Sequence, residues 1–168
     1  MQQPRIVPSR SEYYMGLAFW IASKSKDPNT QCGAVIIDIN NRPRGWGYNG
    51  PPEQIPDSSI DWSRPSKYKY VVHAEVNAIR HASGDLKGST LYVTGTPCSA
   101  CMLNMAAAHI SKVEYYPFKS DSKSMLSDNE DWEKASEIAR LSNIEIVQFN
   151  KDLTWMKDRI KEIIKNIE

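Results

Sequence analysis

The sequence holds only three cysteines in 168 residues, no long apolar run and almost no net charge, and each shortage excludes something. Three cysteines cannot build a structural zinc site of four thiolates, and they are too few for a disulfide framework, which suits a reducing compartment. No stretch approaches the roughly 18 apolar residues of a membrane span. The start, Met1-Gln2-Gln3-Pro4-Arg5, lacks the apolar core of a secretory signal, so a soluble, cytoplasmic protein is expected. Lysine and arginine number 21 against 20 acidic residues, a formal charge of +1 with no sustained basic block. Charge alone therefore gives nucleic acid little reason to bind. Nothing suggests a second domain, and residues 1–168 are read as one unit long enough to bury a continuous core.

What is present centres on two short stretches, His73-Ala74-Glu75 and Pro97-Cys98-Ser99-Ala100-Cys101. Cys98 and Cys101 are three apart, so on a helix their Cβ atoms lie about 5–6 Å apart on one face and two thiolates can grip one ion. Pro97 suits the residue before a helix or its first turn, where a missing N–H costs nothing. That placement puts both sulfurs at the positive end of the helix dipole, which favours thiolate over thiol. His73 adds a nitrogen ligand. Three protein ligands leave zinc a fourth tetrahedral position for water, the mark of a catalytic rather than a structural site. Glu75, two residues from His73, is a poor ligand beside it but can reach that water as an acid and base. Taken singly, a Cys-x-x-Cys is often a redox pair and a lone histidine a core residue. Together, at this separation, His-x-Glu and Pro-Cys-x-x-Cys form the pattern of zinc nucleobase deaminases.

The rest of the chain reads as alternating strands and helices. Ser9 or Ser11 caps a first helix with Glu12 in its first turn, and Tyr14, Leu17, Ala18, Ile21 and Ala22 form its apolar face up to a stop at Lys26-Asp27-Pro28. Strands are predicted over Gln31 to Asp38, Pro43 to Tyr48, Thr90 to Thr94, Val113 to Tyr116 and Ile144 to Phe149, with a turn at Asn40-Asn41. Helices are predicted over His73 to His81, Cys98 to Ala108, Glu130 to Leu141 and, amphipathic, Leu153 to Ile167. Residues 51–69 form a long loop, either anchored by Trp62 or acting as a lid. His81 and His109 are expected at helix ends rather than on a metal. The order argues a three-layer α/β/α sandwich with helices on both faces of a five-stranded mixed sheet.

Beyond the metal motifs, the chain resembles the cytidine deaminase superfamily, and within it the deoxycytidylate deaminases. The likeness runs from the first helix to about Phe149. It rests on Ser25-Lys26-Asp27-Pro28-Asn29-Thr30-Gln31, Cys32-Gly33-Ala34, Gly47-Tyr48-Asn49-Gly50-Pro51 and His73-Ala74-Glu75-Val76-Asn77-Ala78-Ile79. The resemblance implies zinc on His73, Cys98 and Cys101, and hydrolysis of dCMP to dUMP and ammonia, supplying dUMP for thymidylate synthesis. Glu75 would carry the protons. The Ala74 N–H would hold the ring carbonyl and Asn49 the sugar hydroxyl, with Lys26, Lys119 and Ser120 as candidates for the 5′-phosphate. It further implies a homohexamer activated by dCTP with Mg2+ and inhibited by dTTP, the effectors lying around Gly47, Tyr48 and Gly50. With only Cys32 spare, no second, structural zinc is expected. A free cytidine deaminase usually has cysteine where His73 stands. An RNA or single-stranded DNA deaminase should present a basic groove, and a zinc-stabilised scaffold has no reason to hold Glu75 beside an open metal position.

Overall fold

The computed structural model describes residues 3–117, 129–165 and 167. Helix α1 (Arg10–Ala22) begins at Ser9, whose hydroxyl accepts from the Glu12 N–H while the Glu12 side chain accepts from the Ser9 N–H. This reciprocal cap selects Ser9 over Ser11 and satisfies two N–H groups that the helix itself cannot. The helix ends earlier than proline would dictate. At Ser23, Lys24 and Ser25 the backbone bonds tighten to carbonyls three residues back, and the Ser25 hydroxyl then donates to the Asn49 carbonyl at 2.8 Å, drawing the chain off the helix.

Five strands follow in the order β2-β1-β3-β4-β5: β1 (Gly33–Ile37), β2 (Pro43–Tyr48), β3 (Thr90–Val93), β4 (Lys112–Tyr115) and β5 (Glu145–Gln148). The β1 pairings with β2 and β3 are antiparallel, whereas β3–β4 and β4–β5 are parallel. Asn41, at φ 63°, takes the left-handed conformation in the β1–β2 turn, a region asparagine enters more readily than most residues. All five residues of β1 are buried. Its side chains alternate: Val35 and Ile37 join Tyr14, Met15, Ala18 and Ile21 of α1, while Ala34 and Ile36 join the core on the opposite face. The expected three-layer sandwich is thus the observed one.

That second face carries α2 (Ala74–Arg80), α3 (Ser99–Ala107) and α4 (Asn129–Leu141), which supply Ala78, Met102, Met105, Ala135 and Ala139. Each large aliphatic side chain buried there contributes about 1.5–3 kcal/mol. Close approach of α2 depends on glycine. A Cβ on Gly47 would lie 2.4 Å from the Ala78 nitrogen and 2.7 Å from the Ala74 carbonyl oxygen, so only a bare backbone lets β2 seat the helix that carries Glu75. Residues 51–69 hold two short 3-10 turns, Asp57–Ser59 and Ser66–Lys69, within the expected loop. Helix α5 (Thr154–Lys165) meets α1 at Gly16 through Trp155 and Met156. Its isoleucines 160, 163 and 164 are 43–50% exposed, and Ile167, just past the helix, is 80% exposed. No described helix is long and apolar enough to cross a membrane.

Candidate metal centre and active-site cavity

Both ligand stretches stand at helix starts. His73 is the N-cap residue of α2 and Cys98 that of α3, each in extended backbone, so the predicted helices begin one residue later than their ligands. Cys101 lies in the first turn of α3, and its N–H donates to Cys98 Sγ at 3.4 Å. His73 Nδ1 is 3.5 Å from Cys98 Sγ and 3.3 Å from Cys101 Sγ, and the three donor atoms lie within 4.8 Å of one another. Zinc bond lengths of about 2.0–2.1 Å to nitrogen and 2.3 Å to sulfur give a tetrahedral N–S edge of roughly 3.6 Å. The donor set therefore fits one zinc ion with little rearrangement.

The protons shared among these groups follow the same geometry. The Cys101 bond, then His73, draws the Cys98 thiol down to about 4 against the effect of burial. Its bond to Cys98 raises the His73 imidazole to about 9, with burial opposing and Glu75 assisting. Cys101, bonded to Cys98 and buried, is displaced upward. Glu75 is 5% exposed, and burial raises its carboxyl above the ordinary carboxylate range, with His73 pulling the other way. A carboxyl held towards neutrality beside three metal donors is suited to both accepting and donating protons.

A cavity of about 200 Å³ opens onto this centre, lined by His73, Ala74 and Glu75 at its base and by Asn49, Arg64 and Tyr68 among others. The Ala74 N–H belongs to the first turn of α2, where N–H groups lack intrahelical acceptors. Asn49 is buried and partly committed: its Oδ1 accepts from the Cys32 N–H at 2.7 Å and its Nδ2 donates to the Thr30 carbonyl at 2.9 Å. One Nδ2 proton is left for a ligand. Lys26 is not in this cavity. It pairs with Asp57 and lines a second cavity of about 650 Å³ with Gly47, Tyr48, Gly50, Asn77 and His81. Lys119 and Ser120 lie outside the described residues. His81 is exposed at the end of α2 and His109, at φ 55°, turns the chain after α3, as expected of capping histidines.

Three wall residues were given no role by the sequence reading. Lys67 is 1% exposed and places Nζ 2.6 Å from both oxygens of Asp27, itself 3% exposed. Asp27 Oδ1 also accepts from the N–H groups of Asn29 and Thr30, at 2.8 and 3.1 Å. Arg64 donates to the Thr30 hydroxyl at 2.8 Å. Ion pair, turn and Asn49 amide thus form one connected wall. Ser99, beside the first cysteine, is held from α4 by Asp131, which accepts from its hydroxyl at 2.6 Å and its N–H at 3.1 Å.

Residues 8–117 match the family described as the cytidine and deoxycytidylate deaminase zinc-binding region, and the matched span contains all three donors and Glu75. The chain belongs to this family. Human deoxycytidylate deaminase is 43% identical over 109 residues, an alignment spanning 61% of this chain and 61% of the human protein. The deoxycytidylate deaminase of Mycobacterium phage D29 is 37% identical over 122 residues, spanning 64% of this chain and 94% of the phage protein. In fold, the chain is similar to the dCMP deaminase from cyanophage S-TIM5 solved in complex with dCMP and dUMP, with a TM-score of 0.68, 23% identity, and coverage of 86% of this chain and all of that one. The matched region is described as zinc-binding, and the clustered His73, Cys98 and Cys101 donors lie inside it.

Proposed function

We propose that the protein hydrolyses dCMP to dUMP and ammonia. The observation that carries this reading is the buried Glu75 carboxyl, which lines one cavity together with His73, itself grouped with the Cys98 and Cys101 donors. Relatives up to 43% identical that are deoxycytidylate deaminases support the choice of nucleotide. Zinc held by the triad would supply Lewis acidity and lower the pKa of a water to about 7. The Ala74 N–H orients the pyrimidine by its carbonyl and Asn49 takes a sugar hydroxyl, which sets C4 above the base of the cavity. Glu75 accepts a proton from the attacking water and passes it to N3, making C4 electrophilic. After oxygen adds to C4, Glu75 moves a second proton to the amino group, the C4–N bond breaks and ammonia leaves. Burial favours this shuttle, because it lowers the cost of the protonated form of Glu75.

The same reading carries a cytoplasmic location, a homohexamer and control by nucleoside triphosphates, dCTP with Mg2+ activating and dTTP inhibiting. Support for control comes from α2, one helix whose start lines the active-site cavity and whose Asn77 and C-terminal His81 line the cavity of Gly47, Tyr48 and Gly50. An effector there must bind two states unequally, and a shift of α2 would register at Glu75. The test is ammonia release from cytosine nucleosides and their mono-, di- and triphosphates, with Glu75→Gln as control. Turnover of dCMP by the wild type is expected, with zinc retained but a loss of about 10²–10⁴-fold or more in Glu75→Gln. Near-normal turnover by that variant rejects the role of Glu75. Saturation curves for dCMP that superimpose with and without dTTP reject the regulatory part.

A further inference from the structure

We propose that Asp131, reaching across from α4, is a positioning residue for the two sulfur donors. By holding Ser99 it fixes the start of α3 and sets the Cys98 and Cys101 sulfurs in place before the metal arrives. This role rests on the zinc reading of the His73, Cys98 and Cys101 group and deepens it. Asp131 lies outside the span matched to the family: residues 8–117 contain all three donors, whereas α4 begins at Asn129.

The start of α3 needs support from outside the helix. A helix leaves its first N–H groups without intrahelical acceptors, and a side-chain oxygen of Ser, Thr, Asp or Asn at the N-cap ordinarily takes one of them. Here the N-cap is Cys98, whose sulfur accepts from the Cys101 N–H at 3.4 Å. Sulfur is a weak acceptor, and this one is also required by the metal. The oxygens come instead from α4. Asp131 Oδ2 accepts from the Ser99 N–H at 3.1 Å, and Oδ1 accepts from the Ser99 hydroxyl at 2.6 Å. The Ser99 nitrogen belongs to the peptide that joins Cys98 to the helix, so the two bonds stop that peptide from turning. Its rotation would carry Cys98 Sγ out of its place 3.5 Å from His73 Nδ1. The carboxylate also lies at the positive end of the α3 dipole, where a negative charge is favoured.

Asp131 is itself firmly held. Ala135 and Ala139 follow it at helical spacing on one stripe of α4, and both are buried in the core that contains Cys98 and Cys101. Trp132 beside it packs on Tyr115 of β4, with ring centroids 5.6 Å apart. Donors set in this way by a packed helix lose little freedom when the ion binds, which is how preorganisation raises affinity.

The test measures Zn2+ affinity by competition with a chromophoric chelator, together with the visible d–d bands of Co2+-substituted protein, which report geometry at the metal. In Asp131→Ala zinc should bind about 10- to 100-fold more weakly, the range for groups that orient metal ligands. The cobalt bands of that variant should shift or broaden. Asp131→Asn keeps an oxygen for the Ser99 N–H and should fall between that variant and the wild type. Ser99→Ala removes the hydroxyl bond alone and should lose less than Asp131→Ala. Wild-type zinc affinity with an unchanged cobalt spectrum in Asp131→Ala, even beside a lower Tm, would make the contact a tie between two helices and overturn the assignment. Should Asp131→Ala fail to fold, Asp131→Asn and Ser99→Ala make the same comparison, and unaltered zinc affinity in both overturns it. A wild type that binds no zinc sinks the metal reading and this role with it, whereas a zinc-binding wild type with indifferent variants sinks only the role of Asp131.

Discussion

Replacing Lys67 by methionine isolates the buried ion pair in the cavity wall. Methionine keeps much of the side chain's length and apolar stem but removes the ammonium 2.6 Å from both oxygens of Asp27. The carboxylate is then left 3% exposed, with the Asn29 and Thr30 amides as its remaining described partners. Removing one member of a buried pair costs about 3–5 kcal/mol, because the survivor stays desolvated without compensation. At about 2–4 °C per kcal/mol for a chain of this size, Tm should drop by about 6–20 °C. The double variant Lys67→Met/Asp27→Asn removes both charges, and its neutral amide oxygen can still accept from the turn. It should melt above the single variant.

The pH dependence has a definite sign. Burial pushes the Asp27 carboxyl up, but the Lys67 bond and the Asn29 and Thr30 amides together outweigh it and hold the group below its ordinary value. A carboxyl depressed on folding adds stability that is full above its unfolded value, about 3.9, and is lost as pH falls through the folded value. In Lys67→Met burial is no longer offset, so Asp27 takes up its proton at higher pH. The gap in Tm between wild type and variant should therefore be widest near neutrality and narrow on acidification. Circular dichroism melts of both proteins in matched buffers from pH 7 to pH 4 measure it. A neutral-pH gap below about 3 °C, where an uncompensated buried carboxylate predicts at least about 6 °C, would refute the reasoning, as would a gap that widens in acid.

Two further outcomes follow from the same geometry. Gly47→Ala places a methyl 2.4 Å from the Ala78 nitrogen, so α2 must lift from β2; a cost of about 1–3 kcal/mol or more is expected in melting, and an unchanged Tm would remove the packing role assigned to this glycine. His73→Ala deletes one of three donors, so purified protein should contain little zinc by elemental analysis, and a full complement would exclude His73 as a ligand.

The metal donors were legible because the information that places them is local. Proline before a cysteine, a second cysteine one helical turn on, and a histidine at a helix start each describe a few residues of backbone, and the chain could be read at that range. The strand centres were legible for a related reason: the apolar run Val35, Ile36 and Ile37 already implies two apolar faces, and helices cover both. Element ends were less so. The proline at 28 marks where α1 must have stopped, whereas the Ser25 hydroxyl bonding Asn49, 24 residues away, shows why it has already unwound.

The substrate wall was hidden for the opposite reason. Lys26 and Lys67 both sit in polar, turn-rich stretches, and no local rule says that one pairs in the open with Asp57 while the other is enclosed against Asp27, 40 residues distant. Only the fold, by bringing Arg64 and Lys67 to the turn at 27–30, decides which cation is enclosed and which stays at the surface. The phosphate candidates drawn from the sequence were Lys26, Lys119 and Ser120, the last two outside the described residues. In the structure Lys26 faces a different cavity, and Arg64, in a stretch read simply as loop, comes within 2.8 Å of the threonine that also supports Asn49. Chemistry at the base of the site is written in motifs, but the wall above it is made of contacts between Arg64 and Thr30 and between Lys67 and Asp27 that exist only in the folded chain.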